Sequence, residues 1–506
     1  MRKTYLSTAI PYVNANPHIG FALELVQADI YARYKRLLGD TVFFQTGADE
    51  NSLKNVLSAE KAKKDTPSFI DEKTGNFLKL CEHLGLSQDL FWRTTEPKHK
   101  EAAQKLWRAC ADAGYIYKKS YSGLYCVGCE QFYEESELVD GKCPEHETKP
   151  EMVSEENYFF KLSSFQDELK QKIENNEFEI IPAHRKNEVM GVFKEGLRDF
   201  SISRSAARAH GWGIPVPGDE SQIMYVWFDA LTNYIAGCGY AWDDEKFLNL
   251  WVSSDEIIHL IGKGISRFHC LYWPAMLLAG GVRLPDKVVI HDYVIVEGKK
   301  MSKSIGNVID PNIWAKKFTS SGLRYFLATL KTFEDSDISE KLAEERYTAE
   351  LVNGFGNTFS RLANLCSGLE KSIWEKITVE VETVAGLADY QKALDGFDFS
   401  SALETPRALL SKIDKYLESE QPWLIKEDDL KKATVLLTAL QWFIQASALL
   451  EPFMPIAVKT VADNFGLKEF KIISGEDISL DNLRKFAGTA QKPVPLFPRL
   501  VPIMVS

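Results

Sequence analysis

Two short segments far apart in the chain carry groups suited to holding a polyanion. His18-Ile19-Gly20-Phe21 stands where a loop rich in proline and asparagine, Pro11-Tyr12-Val13-Asn14-Ala15-Asn16-Pro17, gives way to an apolar periodicity. A helix starting there offers free backbone N–H groups and the positive end of its dipole. Gly20 allows an anion to come close, and His18 can donate to a phosphate oxygen. Histidine-apolar-glycine strings arise often by chance, so this one is weak alone. The second segment, Lys300-Met301-Ser302-Lys303-Ser304, follows Gly298 and precedes Ile305-Gly306-Asn307. Its two lysines can neutralise the charge that builds on a triphosphate when the α-phosphorus is attacked, which is catalysis by placed charge with no covalent intermediate. Read in isolation, the same pentapeptide is equally a solvated basic turn.

A third constellation is metal-like: Cys126-x-x-Cys129, then thirteen residues, then Cys143-x-x-His146. Four soft or borderline ligands in two tight pairs suit one tetrahedral Zn2+ ion with every position filled, a structural site with no opening for substrate. Eight cysteines are too few for a disulfide scaffold in a chain of 506 residues; three of them belong to this cluster, and the other five read as reduced thiols.

The elements that must position these groups follow from periodicity. Thr4 to Ile10 reads as a buried strand. From His18 to Leu38 the residues Ile19, Leu23, Val26, Ile30 and Leu37 recur at helical spacing, Gly39 ends the helix, and Val42-Phe43-Phe44 starts a second strand. That is a βαβ unit, the element of a parallel sheet. A second unit lies downstream: a strand from Ile257 to Ile261, a helix from Ile265 to Leu278 ending near Gly280-Gly281, and a strand from Val288 to Val296. The lysine segment comes directly after that last strand, where parallel sheets carry their sites.

The stretch between the two units has a different periodicity and holds the cysteine cluster, so it reads as an insertion into a split sheet. After Ile338 the pattern is helical nearly to the end, with Tyr347 to Leu365, Ser400 to Leu417 and Leu430 to Leu450 long and amphipathic, which predicts a helix bundle. The expected division is a first half-sheet at 1–119, an insertion at 120–214, a second half-sheet at 215–296, the lysine loop and a connecting segment at 297–345, and the bundle at 346–506.

A chain of this length exceeds one hydrophobic core. A hydrophobic share of 45% with 26% charged residues is that of a folded chain rather than a disordered one. A net charge of −11 argues against binding nucleic acid by bulk electrostatics, so any RNA contact must use local patches. The N-terminus lacks an apolar leader and no long uninterrupted apolar run occurs, which predicts a cytoplasmic protein without a membrane partner.

With these segments in place, the chain resembles the class I aminoacyl-tRNA synthetases, whose two signatures the histidine and lysine segments match. Over nearly its whole length it resembles the methionine branch. The matching segments are Ala9-Ile10-Pro11-Tyr12, Tyr225-Val226-Trp227-Phe228-Asp229-Ala230, Gly262-Lys263 with Ile265, and Phe268-His269-Cys270-Leu271-Tyr272-Trp273-Pro274. The resemblance implies a Rossmann-type α/β sheet split by a zinc-bearing insertion and followed by an all-α anticodon-binding bundle. It implies activation of methionine by ATP with Mg2+, then transfer to the 3′ end of tRNA(Met), by a monomer.

In site residues, the resemblance implies His18, Gly20, Lys300 and Lys303 around ATP, and Ile10, Tyr12, Trp227, Ala230, Tyr234, Ile265, His269 and Trp273 around the methionine side chain. Asp49 would hold the substrate ammonium. An aromatic-rich pocket suits a polarizable thioether. Zn2+ would be held by Cys126, Cys129, Cys143 and His146 in a knuckle supporting the acceptor end of the RNA. Asn357, Arg361, Pro422 and Trp423 would read the anticodon by stacking and hydrogen bonds.

Three positions depart from the family pattern. Phe21 stands where a histidine is common, Asn51-Ser52 follows Asp49-Glu50 in place of histidine and glycine, and Gly264 replaces an aspartate expected to meet the nucleotide ribose. Asn51 is expected to take over a polar contact beside Phe21. Two rivals stay open: a class I enzyme for another apolar amino acid, against which the insertion is too compact for a large editing domain, and a paralogue that keeps the fold without aminoacylation.

Overall fold

A computed structural model describes residues 1–126, 131–133, 135–144, 147–296, 298–301, 307–467, 473 and 478–500. The chain opens with β1 (Lys3–Thr8), buried at every position after Lys3, then α1 (Ile19–Leu37) and β2 (Thr41–Ala48). Around Tyr5 and Leu6 the strand buries the small hydroxyl residues Thr4, Ser7 and Thr8; Ser7 is bonded to His259 at 2.6 Å and Thr8 to Thr46 at 2.7 Å, as burial of polar groups requires. Further along come β3 (Leu90–Arg93), β4 (Ile116–Cys126), β5 (Gln131–Tyr133), β6 (Glu151–Phe160), β7 (Glu179–Ile181) and β8 (Phe200–Ser201). Next are β9 (Ser203–Ser205), β10 (Pro215–Val216), β11 (Asp219–Met224), β12 (Glu256–Gly262), β13 (Lys287–His291), β14 (Val294–Val296), β15 (Lys299–Lys300) and β16 (Ser336–Ile338).

The main sheet is parallel throughout, in the order β3-β2-β1-β12-β13-β7. Leu6 in β1 faces Phe44 of β2 on one side and Ile258 of β12 on the other. From β1 the chain winds outward to β2, and from β12 it winds the opposite way to β13. The boundary between β1 and β12 is therefore the switch point, where loops diverge and leave a crevice at the carboxyl ends of the strands. Within the stretch expected as an insertion, β5-β4-β6-β8 form a separate antiparallel sheet, while β7 leaves it and becomes the edge strand beside β13.

Two elements differ from their sequence-based outlines. The strand expected over Val288 to Val296 stops at His291, and β14 belongs to a second sheet with β15 and β16. The cause is Asp292, a buried carboxylate that pairs with Lys263 at 2.8 Å and with Arg185, and so turns the chain out of the sheet. The helix expected over Ile265 to Leu278 is a 3-10 turn at Lys263–Ile265, a π turn at Phe268–Tyr272 and an α-helix at Trp273–Ala279. Pro274 has no N–H to return to the turn before it, and the backbone there widens.

The C-terminal region is a helix bundle, with Gly356–Ser367, Glu404–Glu420 and Asp429–Leu450 as its longest parts besides the π stretch Tyr347–Phe355. Asp429–Leu450 has the length and apolarity of a membrane span, yet 89% of its most apolar window is buried inside the protein, which makes it the bundle's central helix. Arg324, fully buried, joins the two regions. Its guanidinium pairs with Asp29 of α1 at 2.7 Å and donates to the carbonyls of Pro452 (2.8 Å), Phe453 (2.9 Å) and Leu84 (3.3 Å). Burial alone would raise the Asp29 carboxyl, but Arg324 and Arg33 outweigh it and hold the group below its ordinary value.

Candidate active site

The crevice at the switch point is walled by the loop after β1 and the turn after β12. His18 caps α1: its Nδ1 accepts from the N–H of Gly20 at 3.1 Å and of Phe21 at 3.4 Å. The Ile19 N–H donates to the Ile309 carbonyl at 3.0 Å and that of Ala22 to the His18 carbonyl at 3.2 Å. The free first-turn N–H groups expected from sequence are thus already engaged, because a helix start must satisfy its orphan donors when nothing else does. What α1 offers an anion is its dipole and an imidazole that, with Nδ1 accepting, carries its hydrogen on Nε2.

The second signature arrives at the same place. The Met301 methyl lies 3.4 Å from where a Cβ on Gly20 would stand, and Ile309, on the other side of the lysine segment, holds the N–H of Ile19. Lys300 enters through β15, its backbone paired with Ile295 of β14. Lys303 lies outside the described residues. Beneath the loop, Glu24 accepts from the Ala9 N–H at 2.8 Å and meets His291 Nε2 at 3.0 Å, which ties the ends of β1 and β13 together.

Beside the crevice is a cluster of rings. Asp49, at the end of β2, donates its N–H to the Pro11 carbonyl at 2.9 Å and bridges Tyr12, so the two stand side by side; Ile10 reaches the backbone of Gly47, within 3.1 Å of where a Cβ would be. The helix Val226–Ala236 supplies Trp227, buried Ala230 and Tyr234. The Trp227 ring stacks on Phe268 at 3.7 Å and meets Tyr12 and His269 edge-on at 6.5 and 6.3 Å. Its Nε1 is buried with no hydrogen-bond partner among the described residues. Ile265 packs half-buried against this cluster.

Hydrogen bonds lock the tautomers of the cluster's histidines. A carbonyl can only accept, so His269 donates Nδ1–H to Ile265 O at 3.0 Å and accepts at Nε2 from the Tyr234 hydroxyl at 2.7 Å. An indole can only donate, so Trp273 gives Nε1–H to His259 Nε2 at 3.1 Å, and His259 Nδ1–H reaches Ser7 Oγ at 2.6 Å. Burial pushes His269 down to about 4; burial, then the proximity of His269, pushes His259 well below its ordinary value. Both rings are neutral; the charged groups at the edge of the pocket are Asp49, beside Tyr12, and Lys54, whose ammonium sits 4.7 Å over the Tyr12 ring.

Sequence reasoning missed His259 and Phe268. A histidine inside the buried strand Ile257-Ile258-His259-Leu260-Ile261 was the available signal. It also missed a buried carboxylate cluster: Asp229 Oδ1 meets His99 Nε2 at 2.6 Å, and Oδ2 accepts from the Asn51 amide at 2.7 Å. This corrects the role expected of Asn51. Its amide is spent on Asp229 and the Thr94 carbonyl, whereas Phe21 packs its ring against Phe77 at 5.2 Å.

Of the metal-like residues, Cys126 and Cys143 are buried in one small cluster with Tyr133, while Cys129 and His146 lie outside the described residues. Among the described residues no three metal-ligating side chains come together. In the bundle, exposed Asn357 and half-buried Arg361 are one turn apart on Gly356–Ser367, and the Arg361 guanidinium sits 4.9 Å over the ring of Trp423, which is 40% exposed. Pro422 is buried in the turn that follows the left-handed Gln421 at the end of Glu404–Glu420.

A parallel sheet with helix start, lysine hairpin and aromatic pocket gathered at its switch point defines a doubly wound nucleotide-binding enzyme. Residues 4–149 and 136–363 match the family described as tRNA synthetases class I (M), and residues 370–499 match the anticodon binding domain of methionyl tRNA ligase. The chain belongs to the class I tRNA synthetases (M).

It is 37% identical to a methionine–tRNA ligase of Brucella suis, covering 99% of this chain and 98% of that one. It is 36% identical to a methionine–tRNA ligase of Fusobacterium nucleatum, over 99% of this chain and 80% of the relative. The structure of Mycobacterium tuberculosis methionyl-tRNA synthetase in complex with methionyl-adenylate superposes with a TM-score of 0.88 at 33% identity, covering 99% of this chain and 100% of that one. The apo form of the same enzyme superposes at 0.82, with 32% identity and 99% of each chain covered.

Proposed function

We infer that this chain is a methionine–tRNA ligase: it activates methionine with ATP to methionyl-adenylate and transfers the methionyl group to the 3′ end of tRNA(Met). The observation that carries the reading is the meeting of Met301 and Ile309 with the start of α1, beside a neutral aromatic pocket. A triphosphate in the crevice would lie between the His18 imidazole and the lysines at 300 and 303. The methionine carboxylate attacks the α-phosphorus in line, the P–O bond to pyrophosphate breaks, and the displaced charge falls among these cations. A ribose hydroxyl of the RNA then attacks the adenylate carbonyl and AMP leaves, with no enzyme nucleophile. Magnesium would accompany ATP as its counter-ion.

Selection of methionine falls to Ile10, Tyr12, Trp227, Ala230, Tyr234, Ile265, His269 and Trp273, and Asp49 would hold the ammonium. Neutral, tautomer-locked histidines favour an uncharged thioether over a charged side chain. A single zinc ion held by Cys126, Cys129, Cys143 and His146 would fold the knuckle of the inserted segment; the shared burial of Cys126 and Cys143 supports it. Cys126→Ser is expected to lower zinc from about one equivalent per chain to near zero by metal analysis. Asn357, Arg361, Pro422 and Trp423 would meet the anticodon. The reading keeps the division at 1–119, 120–214, 215–296, 297–345 and 346–506, and takes the enzyme as a cytoplasmic monomer. Pyrophosphate exchange run with each amino acid, followed by charging of tRNA(Met), tests it: exchange driven by another amino acid, or by none, refutes it.

A further inference from the structure

We propose that the Tyr293 hydroxyl holds the sugar of the nucleotide, standing in the room that Gly264 leaves beside the crevice; this rests on the ATP-dependent reading above. Gly264 lies in the turn after β12 and Tyr293 two residues past the end of β13, on neighbouring strand ends next to the switch point. A Cβ built on Gly264 would stand 2.0 Å from the Tyr293 Oη and 3.3 Å from its Cζ. The hydroxyl and any side chain at 264 are therefore mutually exclusive. The position where the family resemblance expects an aspartate is filled here, from another strand, by a phenol.

The surroundings fix that phenol and say what it would meet. The Tyr293 N–H donates to Asp335 at 2.9 Å, and the ring lies 4.8 Å beneath the Lys263 ammonium. Lys263 is itself held between Asp292 at 2.8 Å and Asp335 at 2.5 Å. Asp292 also pairs with Arg185, so two carboxylates and two cations neutralise one another and leave this corner no net attraction for a triphosphate, whose place is with His18 and the lysine hairpin. A neutral hydroxyl that both donates and accepts suits the other polar part of a nucleotide, its sugar hydroxyls.

Tyr293→Phe keeps the ring and its packing and removes only the oxygen. In pyrophosphate exchange the KM for ATP is expected to rise about tenfold with the KM for methionine unchanged, the loss of one neutral hydrogen bond. A purely structural role would not produce the second expected result: the preference for ATP over 2′-deoxy-ATP or 3′-deoxy-ATP collapses for the hydroxyl contacted. Gly264→Ala, which must displace the phenol, should reproduce the ATP defect in the wild-type background and add little to it in the Tyr293→Phe background. Calorimetric binding of ATP and the two deoxy analogues to wild type and Tyr293→Phe reads the same discrimination whether or not exchange occurs. Failure of the activity assignment is thereby separated from failure of this one. Unchanged ATP affinity and undiminished discrimination against both analogues in Tyr293→Phe would overturn the proposal.

Discussion

The aromatic pocket and the crevice at the switch point are neighbours built on opposite principles. In the pocket, His269, Tyr234, His259, Trp273 and Ser7 form chains of hydrogen bonds in which each donor has one available acceptor, and all of it is buried. At the crevice, two segments remote in sequence meet through single contacts such as the Ile19 N–H on the Ile309 carbonyl and Met301 against Gly20. On the proposed function the pocket can be rigid, because a thioether asks only for shape and polarizability. On the same reading the crevice must balance charge that exists only while phosphorus is being transferred. Selection and catalysis are thus separable by mutation, and the two regions should fail in different kinetic terms.

Lys300→Ala gives the largest expected effect: a fall of about 10²–10³ in kcat for pyrophosphate exchange with the KM for methionine unchanged, since it removes a charge needed chiefly in the transition state. An equal loss in methionine affinity would erase the contrast. Trp423→Ala serves as a control outside both regions. It is expected to lower kcat/KM for tRNA charging by about 5- to 150-fold, the value of one base stacking contact, while leaving pyrophosphate exchange intact. Tyr234→Phe should act oppositely to Lys300→Ala. Losing the bond to His269 Nε2 should raise the KM for methionine about tenfold with little change for ATP.

The smallest and most gradual effect concerns pH. The folded state holds His269 neutral down to about 4, whereas the unfolded chain takes up its proton near the ordinary value of 6.5. Between those values the unfolded state binds more protons, so stability is complete above about 6.5 and declines as pH falls toward about 4. His259, shifted the same way, steepens the decline. Urea midpoints measured across that window should fall with pH, and His269→Gln should flatten the slope.

Much of this organisation was legible in the residue pattern. Both βαβ units were readable because their apolar runs are local, and α1 was placed within a residue at each end. What local pattern could not supply were partners distant in the chain. The break at Asp292 depends on Lys263 and Arg185, the His259 relay on a serine 252 residues away, and the engagement of the first-turn N–H groups of α1 partly on Ile309. The same applies to Asn51: its neighbours in sequence suggested a substrate-side contact, but Asp229, 178 residues away, claims its amide. Periodicity likewise could not show that the turn before Pro274 widens, which sets how Phe268 and His269 face Trp227.

The socket around Arg324 has a practical consequence for shortening the enzyme. A fragment cut before Asp429 would strip away the Pro452 and Phe453 carbonyls and Glu451, leaving Arg324 and Arg33 short of acceptors over newly wetted apolar surface. Breaking a buried ion cluster by removing one side typically costs about 3–5 kcal/mol, comparable to the whole stability margin of a small domain. The catalytic half is therefore not a detachable cartridge. A workable miniature would have to rebuild that seam, replacing Arg324, Arg33 and Asp29 together by apolar residues because Asp29 is the remaining carboxylate partner of Arg33, before its chemistry could be assayed.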